Sequence, residues 1–558
     1  MNYEIEVRKK RKIYHVNMLR EFIERKDVGR RDEQEIDDDI EQDEEDMEQE
    51  DSSYEVGSKA GKQETVGCGM VLDDRGGSED HELIEVCPLT STETIEMVQI
   101  NPELEVKERE DIENLLQRFK DVLTTLPGYS KDEEHVINTT TSEPVRAKLY
   151  PIPYSQRGVI RKEVEEMMRM GIVRQSKSPY AAQPVLVRKP DGSMRFCVNY
   201  KQLNLVTVFD GEPMPCPEDI YIAMRGKRYR SKMDLSKGYW QIGMHPNSRE
   251  ATAFVTPEVV YEFTRMPFGL KNSAATFNRL MRKVLGGMEG VGCFVDDICV
   301  FTDSWNEHVQ VLEEVLKRPQ RSGLTVKPSK CMIGFTDIVF VGHELNVGEI
   351  HPRKEKVKEV LKVEPPASKR QVKSFLAMAG YYSRFIQGFA DIAFPLTELT
   401  KGRAKFAWEE KHMNAFKEIK QQLEMGPILR IVDLTKHMYV MTDASDTGVG
   451  AALLQMHEKK LHPVRYLSRK LKPAERNYST IEKEGLAIVW AIEKLMVFLY
   501  GREFTLLTDH RPLVFMQNEK MNNGRVMRWS LFLQDMSFKI ESIKGVDNML
   551  ADCLSRLS

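Results

Sequence analysis

Two adjacent carboxylates, Asp296 and Asp297, constrain this chain more than any other feature. Apolar, strand-forming residues lie on both sides of them, at 292–295 and 298–301. Neighbouring carboxylates repel each other and are costly to bury unless a cation neutralises them. The pattern predicts a strand–turn–strand with the acids at its tip, a suitable platform for Mg²⁺. Most such pairs are solvated turns, so this pair gains meaning only if further acids accompany it.

The length and composition favour a multidomain intracellular protein. The chain has 558 residues, which corresponds to about three or four domains. It contains no run of 18 uncharged apolar residues and opens with no signal peptide, so we expect neither membrane contact nor secretion. The eight cysteines form no Cys-x-x-Cys pair, which argues against a zinc module and for a reducing compartment.

The net charge of −5 conceals two regions of opposite sign. Residues 32–51 hold 14 acids and no Lys or Arg, whereas residues 101–558 hold 68 basic and 57 acidic residues and carry +11. A basic body suits a polyanionic partner such as nucleic acid. Ordinary surface charge is the alternative explanation.

The first hundred residues differ from the rest. Residues 1–30 are basic and partly helical in pattern, and the basic run at 9–12 is either a nuclear signal or a solvated charge cluster. Residues 31–100 are acidic and then rich in Gly, Ser and Thr, which indicates a largely disordered linker. We expect order to resume near Leu104.

Periodicity beyond Leu104 predicts mixed helices and strands. Helical spacing predicts helices at 112–122, 157–170, 273–288, 306–316 and 474–499, and a helical region at 370–399. Strands are predicted at 184–187, 194–198, 338–345 and 503–508. Alternating strands and helices after 437 indicate a separate α/β domain of about 120 residues.

A third acid, Asp234, ends a strand-like run 62 residues before Asp296. That separation allows an intervening helix and strand to bring the three acids together on one sheet. Three acids so placed would hold two Mg²⁺ ions for in-line phosphoryl transfer.

Five short sequence strings resemble those of a known protein family. The chain resembles the reverse transcriptase and RNase H region of the Pol polyprotein of gypsy-type LTR retrotransposons, from near residue 100 to residue 558. Residues 10–22 also resemble a linker upstream of the polymerase in such chains. The strings, in the family's order, are Ser-Pro-Tyr-Ala at 178–181, Lys-Pro-Asp-Gly-Ser-Met-Arg at 189–195, Tyr-Lys-Gln-Leu-Asn at 200–204, Met-Pro-Phe-Gly-Leu at 266–270 and Lys-Pro-Ser-Lys-Cys at 327–331.

The resemblance implies an α+β multidomain fold: a right-hand polymerase with fingers, palm, thumb and connection segment, followed by an α/β RNase H-like domain. The expected divisions are 1–30, a basic segment resembling a Pol linker; 31–100, the acidic linker; 101–170, N-terminal helices leading into the fingers; 171–346, fingers and palm; 347–430, thumb and connection; and 431–558, the RNase H-like domain.

The resemblance also implies roles for the polymerase residues. Asp234, Asp296 and Asp297 match the catalytic, metal-binding acids of the palm. Tyr239 matches the aromatic residue that excludes a ribose 2′-hydroxyl and so selects dNTPs. The nucleotide pocket is completed by Phe268 and Gly269 as its floor, and by Lys189 and Arg195 as fingers residues that donate hydrogen bonds to the triphosphate.

Four later acids match the RNase H carboxylate tetrad, namely Asp443, Glu484, Asp509 and Asp552. Singly, each has an ordinary explanation as a strand-end turn, a solvated helix face or a helix cap. In the family's order, they imply a second two-metal site that activates water against the RNA of a hybrid. Glu484 is chosen over Glu482 because residues 485–488 follow it in the family's pattern.

One three-residue motif resembles the signature of an unrelated enzyme class. Asp446-Thr447-Gly448 spells an aspartic protease signature. That chemistry needs two Asp carboxylates that share a proton across paired lobes. We therefore expect a turn in the first hairpin of the RNase H-like domain.

The implied protein is an enzyme, an RNA- and DNA-directed DNA polymerase with ribonuclease H activity. It is expected to use two Mg²⁺ ions per site, with Mn²⁺ as the alternative, and to bind an RNA template, a DNA primer or RNA–DNA hybrid, and dNTPs. Capsid and integrase proteins of the same element are further expected partners. The expected compartment is a cytoplasmic retroelement particle, with the nucleus as a second location.

Three positions depart from the family's pattern. Asn199 replaces the usual Asp, Phe294 replaces the commoner Tyr, and Pro319 interrupts a predicted helix at a cost of about 3 kcal/mol. These departures leave an alternative function open, a decayed or domesticated relic that binds nucleic acid or a partner without catalysis.

Overall fold

The computed structural model describes residues 2–7, 10–15, 90–188, 192, 194–401, 406–426, 428–508 and 524–542. The chain divides into two compact units, Met1–Ile84 and Glu85–Ser558. In the first unit, strands β1 (Asn2–Val7) and β2 (Lys10–His15) pair in an antiparallel hairpin. The helical pattern predicted near the start is therefore wrong for these residues, where β-branched Ile and Val favour strands. Most of the predicted acidic linker, residues 31–89, lies outside the described residues.

The second unit begins with elements that surround one central sheet. In chain order they are β3 (Gln99–Ile100), α1 (Val106–Arg118), β4 (Ser130–His135), α2 (Tyr154–Arg169), β5 (Val173–Gln175), β6 (Gln183–Arg188), β7 (Met194–Asn199), α3 (Lys201–Val206), α4 (Pro217–Met224), β8 (Tyr229–Asp234), β9 (Ile242–Met244), β10 (Phe254–Val255), β11 (Val260–Phe263), α5 (Ser273–Leu285), β12 (Val291–Phe294), β13 (Asp297–Thr302), α6 (Trp305–Arg321) and β14 (Met332–Phe335).

The central sheet has the strand order β12–β13–β8–β14–β3. Strand β13 pairs antiparallel with both β12 and β8. Buried side chains of α5 and α6, such as Phe277 and Leu312, contribute to the core of this region. Strand β3 pairs parallel with β14, so order begins before Leu104, where the sequence analysis placed its start.

Two smaller β units lie in the region expected to form the fingers. Strands β6 and β7 form an antiparallel hairpin, as predicted. Strands β10, β11 and β5 form a three-stranded sheet. Helix α2 occupies the predicted amphipathic segment and buries Ile160, Val164 and Met167.

Helix α6 continues through Pro319 to Arg321, so the predicted interruption is wrong. A proline in a helix lacks the N–H donor, which here would have reached the carbonyl of Val315, and its ring crowds that same carbonyl. Because Pro319 lies in the last turn, few later hydrogen bonds depend on it. Its own carbonyl accepts a hydrogen bond from the backbone N–H of Leu324 at 2.8 Å.

The following segment combines a four-stranded sheet with helices around its own core. The single strand predicted at 338–345 is instead two strands, because Val341 and Gly342 adopt φ of +44° and +74° and turn the chain. The elements are β15 (Ile338–Phe340), β16 (His343–Leu345), β17 (Glu349–Pro352), α7 (Lys354–Leu361), α8 (Lys369–Gly380), α9 (Phe389–Ile392), α10 (Phe394–Thr400), α11 (Glu410–Glu424) and β18 (Leu429–Arg430).

The last segment is an α/β domain, as predicted. Its sheet has the order β21–β20–β19–β22–β23, antiparallel among the first three strands and parallel beyond. The long helix starts at Thr480 rather than 474, because Ser479 forms a capping box with Glu482. The elements are β19 (Met438–Ala444), β20 (Gly448–His457), β21 (Lys460–Lys470), α12 (Thr480–Leu499), β22 (Phe504–Thr508), α13 (Gly524–Gln534) and β23 (Phe538–Ser542).

Buried histidines make the fold acid-sensitive. His308 contacts the hydroxyls of Ser231 and Thr302, and His135 contacts that of Thr276. Burial lowers the pKa of His308 to about 3 and that of His135 to about 4. The unfolded chain takes up these protons near pH 6.5 and the folded chain does not. The free energy of unfolding therefore has its full value above pH 6.5. At lower pH it decreases, by about 2 kcal/mol per histidine at pH 5.

Urea unfolding at pH 7.5 and pH 5 measures this loss. We expect His308→Gln to reduce the difference between the two pH values, because Gln keeps hydrogen-bonding groups but does not titrate. Equal differences for wild type and variant would show that His308 is not responsible.

Candidate active sites

The tip of the β12–β13 hairpin carries the two adjacent acids, so the predicted strand–turn–strand is confirmed. Asp297 is the first residue of β13, and Asp296 lies in the turn. Val295 adopts φ +55°, a strained conformation for a β-branched residue. Such strain persists where the surroundings fix it, and it clusters at functional sites. This signal is invisible in the sequence.

The structure brings Asp234, Asp296 and Asp297 together. Asp297 and Asp234 are direct partners across the β13–β8 pair, and Asp234 is 8% exposed. Burial raises the pKa of Asp234, and the charge of Asp297 adds to the rise. Burial also raises the pKa of Asp296, and the charge of Asp234 raises it further. The three carboxylates are therefore electrostatically coupled and need a cation.

Two lysines that the sequence analysis missed supply positive charge. Lys330 Nζ lies 2.7 Å from Asp234 Oδ2, and Lys232 Nζ lies 3.0 Å from Asp297 Oδ1. The strand period offered a signal for Lys232, since residues two apart on β8 share a face. Lys330 lies in the string at 327–331, but only the tertiary structure brings it to Asp234.

The donor atoms suit a hard divalent cation. All three candidate ligands are carboxylates, whose oxygens Mg²⁺ and related ions prefer. Across the part of the chain that the structure describes, no group of three or more His, Cys, Asp or Glu side chains is arranged to hold a metal ion. The two ion pairs give a physical reason at this site, because each lysine ammonium engages a carboxylate oxygen. The three carboxylates can therefore bind metal ions once the two lysines no longer pair with them.

Aromatic side chains lie beside the acids. The Tyr239 ring packs against Phe268 at 5.1 Å and Phe277 at 5.5 Å between centroids. Burial raises the pKa of Tyr239, and the charge of Asp296 adds to it. Gly238 lies close to the same groups, since a Cβ there would lie 3.3 Å from the Phe277 ring and 3.4 Å from Asp296 Cβ.

The remaining predicted nucleotide-binding residues are Gly269, Arg195 and Lys189. Gly269 has φ +92°, and its carbonyl accepts a hydrogen bond from Asn204 Nδ2 at 2.9 Å. Arg195 is exposed on the β6–β7 hairpin. Lys189 lies outside the described residues. Asn199 accepts a hydrogen bond from the Lys201 backbone at 3.0 Å, so it has a local role at the start of α3.

The second group of acids is partly described. Asp443 lies on β19 and Glu484 on α12, and these elements pack together. Both side chains are buried, with 5% and 2% exposed. Asp509 and Asp552 lie outside the described residues.

Two acids close in sequence to Asp443 and Glu484 have structural roles instead. Glu482 caps α12 at Ser479 and pairs with Arg525 at 2.6 Å, which supports the choice of Glu484. Asp446 is an exposed turn residue that pairs with Lys483 at 2.7 Å. The predicted turn at 446–448 is therefore confirmed.

Asp391, from helix α9, approaches the same region and was missed by the sequence analysis. Its Oδ1 accepts a hydrogen bond from Thr447 Oγ1 at 3.0 Å, and a Cβ on Gly448 would lie 2.5 Å from that oxygen. Burial raises the pKa of Asp391 to about 6, and the charge of Asp443 adds to the rise. No local pattern could reveal this acid, because its neighbours lie more than fifty residues away in sequence.

Comparison with known proteins identifies two domains. Residues 187–345 match reverse transcriptase, described as RNA-dependent DNA polymerase. Residues 433–536 match the RNase H-like domain found in reverse transcriptase. The chain is 37% identical over 432 residues to the retrovirus-related Pol polyprotein from transposon 297 of Drosophila melanogaster, covering 76% of this chain and 40% of that protein. It carries the reverse transcriptase and RNase H-like domains of an LTR-retrotransposon Pol polyprotein.

Other retrotransposon Pol relatives agree. The chain is 31% identical over 474 residues to the Tf2-3 polyprotein of Schizosaccharomyces pombe, covering 82% of this chain and 35% of that protein. It thus spans between 35% and 40% of the length of these two curated relatives.

Solved structures confirm the predicted fold class, a right-hand polymerase followed by an RNase H-like domain. A foamy viral protease-reverse transcriptase dRH in complex with double-stranded DNA superposes with a TM-score of 0.72 at 22% identity, covering 82% of this chain and 83% of that one. The foamy viral enzyme in complex with an RNA/DNA hybrid gives 0.72 at 21% identity, covering 84% and 65%.

Reverse transcriptase and RNase H domains of this kind generally depend on divalent metal ions. Within the described residues of this Pol-type chain, no helix has the length and apolar character needed to cross a membrane.

Proposed function

We propose that this chain copies RNA, and DNA, into DNA and cleaves the RNA strand of RNA–DNA hybrids. One observation carries the polymerase half of the proposal. Asp234 and Asp297 pair across the central sheet, with Asp296 in the adjoining turn. Electrostatically coupled carboxylates grouped in this way are the ligands that two-metal phosphoryl transfer requires.

In the polymerase site, Asp234, Asp296 and Asp297 would hold two Mg²⁺ ions, with Mn²⁺ as the alternative. When bound, the ions supply activation of the primer 3′-hydroxyl and neutralisation of the leaving pyrophosphate. Lys232 and Lys330 then lose their carboxylate partners, and their ammonium groups become able to donate hydrogen bonds to phosphate oxygens.

The nucleotide pocket lies against these acids. Tyr239 would press on the sugar and exclude a 2′-hydroxyl, with Phe268 and Gly269 forming the floor. Lys189 and Arg195, from the hairpin, would donate hydrogen bonds to the triphosphate. The contact of the Tyr239 and Phe268 rings supports a rigid wall beside the acids.

In the RNase H-like domain, Asp443, Glu484, Asp509 and Asp552 would hold the second pair of ions. Those ions, when bound, supply the activated water. The burial of Asp443 and Glu484 supports this role, since acids buried together are costly without a compensating cation.

The proposal includes substrates, partners and domain limits. The substrates are an RNA template, a DNA primer or RNA–DNA hybrid, and dNTPs. Capsid and integrase of the same element are the proposed partners, in a cytoplasmic particle or the nucleus. The proposed domains are 101–170 for the helices leading into the fingers, 171–346 for fingers and palm, 347–430 for thumb and connection, and 431–558 for the nuclease domain, after a basic segment at 1–30 and a linker at 31–100.

One substrate tests both activities. An RNA template labelled at one end is annealed to a DNA primer that carries a second label, and dNTPs and Mg²⁺ are added. We expect primer extension together with shortening of the RNA, and a chelator should stop both. An unchanged primer and an intact RNA, in Mg²⁺ and in Mn²⁺, would count against the proposal.

Tyr239→Ala should weaken sugar selection. Removing the ring leaves space for a 2′-hydroxyl, so we expect ribonucleotide incorporation relative to dNTP incorporation to rise by about 10- to 100-fold. Single-nucleotide incorporation with dCTP and CTP measures the ratio. Tyr239→Phe keeps the ring and should keep the ratio. Tyr261→Ala is the matched control, because that ring stacks on Phe254 instead.

A further inference from the structure

Helix α4, the helix that precedes Asp234 in the chain, contacts two other parts of the protein. Ile220, Tyr221 and Met224 belong to the apolar core of the segment that follows the central sheet. Ile222 packs against the core of the RNase H-like domain. A tight turn at Gly226, with φ +76°, then leads into β8 and its terminal Asp234. The helix is thus linked through a short connection to the polymerase acids.

An ionic cluster, consisting of Glu218, Arg384 and Arg465, joins these three regions. Glu218 Oε1 accepts a hydrogen bond from Arg384 Nη1 at 2.9 Å, and Arg465 Nη1 lies 3.6 Å from the same oxygen. Arg384 belongs to the thumb and connection segment, and Arg465 lies on β21 of the nuclease domain. Their side chains are 24%, 16% and 32% exposed, in the order given.

Glu218 stays charged although it is partly buried. Burial alone raises the pKa of Glu218, but the charges of Arg384 and Arg465 bring that pKa below its usual value. The Nε atoms of both arginines are buried without a hydrogen-bond partner. Buried donors left unsatisfied reduce the net stability that the cluster contributes. A role in fixing geometry accounts for the cluster better than stability alone.

Further contacts surround the cluster. Arg225, at the other end of α4, pairs with Asp433 of the nuclease domain. On β21, Ser468 Oγ accepts a hydrogen bond from the Ala390 backbone at 3.0 Å, and Lys470 lies 3.5 Å from Glu398. Strand β21 is an edge strand of its sheet. The polymerase side of the protein therefore contacts the nuclease domain along this strand.

We propose that the cluster of Glu218, Arg384 and Arg465 fixes the nuclease domain relative to the polymerase acids and so determines where RNA is cut relative to a primer 3′ end. Glu218 and Arg465 are positioning residues, because they act through each other rather than on substrate. The inference rests on the proposed function, since a cut position requires both sites to bind one hybrid.

Arg465→Ala tests the proposal while leaving the pair of Glu218 and Arg384 intact. The matched control is Arg469→Ala, on the same strand, whose arginine pairs with Glu475 at 2.7 Å inside the nuclease domain. The substrate is a hybrid with a recessed DNA 3′ end and end-labelled RNA, without dNTPs. We expect Arg465→Ala to lower the share of cuts at the main wild-type position by about twofold, the scale of one partly exposed ion pair. Arg469→Ala should leave the cut positions unchanged.

A cut pattern for Arg465→Ala identical to wild type would overturn the proposal. If Arg465→Ala fails to fold, Glu218→Gln, which keeps the side-chain shape, replaces it in the same assay. Small-angle X-ray scattering of the free proteins gives a readout that does not need activity. Arg465→Ala should increase the radius of gyration and Arg469→Ala should not, and equal values would also overturn the proposal. If the wild-type protein is inactive, the proposed function is wrong. The scattering measurement then still tests whether the cluster fixes the position of the nuclease domain.

Discussion

We expect Asp296→Asn to lower primer extension on a primed RNA template by about 10³-fold or more, because the loss of one transition-state charge contact alone costs about 10²- to 10³-fold. Asn is nearly the same size as Asp but carries no charge, so the change removes a metal ligand with little effect on packing. Single-turnover dNTP incorporation measures the effect.

The same variant should retain cleavage of RNA–DNA hybrids. The two sites are built around separate sheets, and Asp296 lies in the turn between β12 and β13 of the central one. Asp303→Asn is the matched control, since Asp303 is an exposed acid beyond the same hairpin that pairs with Lys227 at 2.6 Å. If Asp303→Asn lost extension as fully as Asp296→Asn, charge removal in general would be the cause and the assignment would fail.

We expect Asp443→Asn to impair hybrid cleavage and to leave primer extension intact. Hybrid cleavage should fall by about 10³-fold, again from the loss of a charge that the transition state needs, whereas primer extension continues. Asp443 lies on β19 with 5% exposure, and α12 places Glu484 on the helix packed against that strand. A labelled RNA hybridised to DNA, without dNTPs, measures the loss.

Asp446→Asn offers a close control for Asp443→Asn. The two acids are three residues apart, but Asp446 is exposed and pairs with Lys483. We expect Asp446→Asn to cleave the hybrid at close to the wild-type rate. Full cleavage by Asp443→Asn, with thermal unfolding showing both variants folded, would remove Asp443 from the nuclease site.

The sequence was sufficient to predict where the polymerase acids lie in the fold, because they stand in local patterns. Asp296 and Asp297 lie between apolar strands, and Asp234 ends another. The period of a strand is short, so a few residues reveal which elements form and where they end. The assignment of roles came from the family resemblance, which the comparisons bear out for the two domains.

Features that depend on distant neighbours could not be predicted. Lys330 reaches Asp234 from a turn nearly one hundred residues later, and Asp391 reaches the nuclease domain from a helix that precedes it. Neither contact leaves a periodic signal. The cluster around Glu218 belongs to the same class, since its three members come from three regions of the fold.

The errors in secondary structure have local causes. The strand predicted at 338–345 contains an apolar run that hides a two-residue turn at Val341 and Gly342. The helix start predicted at 474 lies before the capping box at Ser479, which sets the boundary. Pro319 is tolerated because it lies in the last turn of its helix.

The departures that suggested a decayed copy have benign structural accounts. Asn199 accepts a local backbone hydrogen bond at the start of α3, and Pro319 is accommodated within α6. Phe294 packs against an apolar core, where an aromatic ring without a hydroxyl is well suited. Among the described residues, no structural observation therefore favours the non-catalytic alternative.

The most direct measurement is dNTP incorporation by the purified wild-type chain on a primed RNA template, in Mg²⁺ and separately in Mn²⁺. We predict extension to the template end that requires the metal and disappears in Asp296→Asn. A folded wild-type protein that adds no nucleotide with either metal, yet binds the template–primer in a salt-dependent way, would contradict the account and identify a binding protein instead.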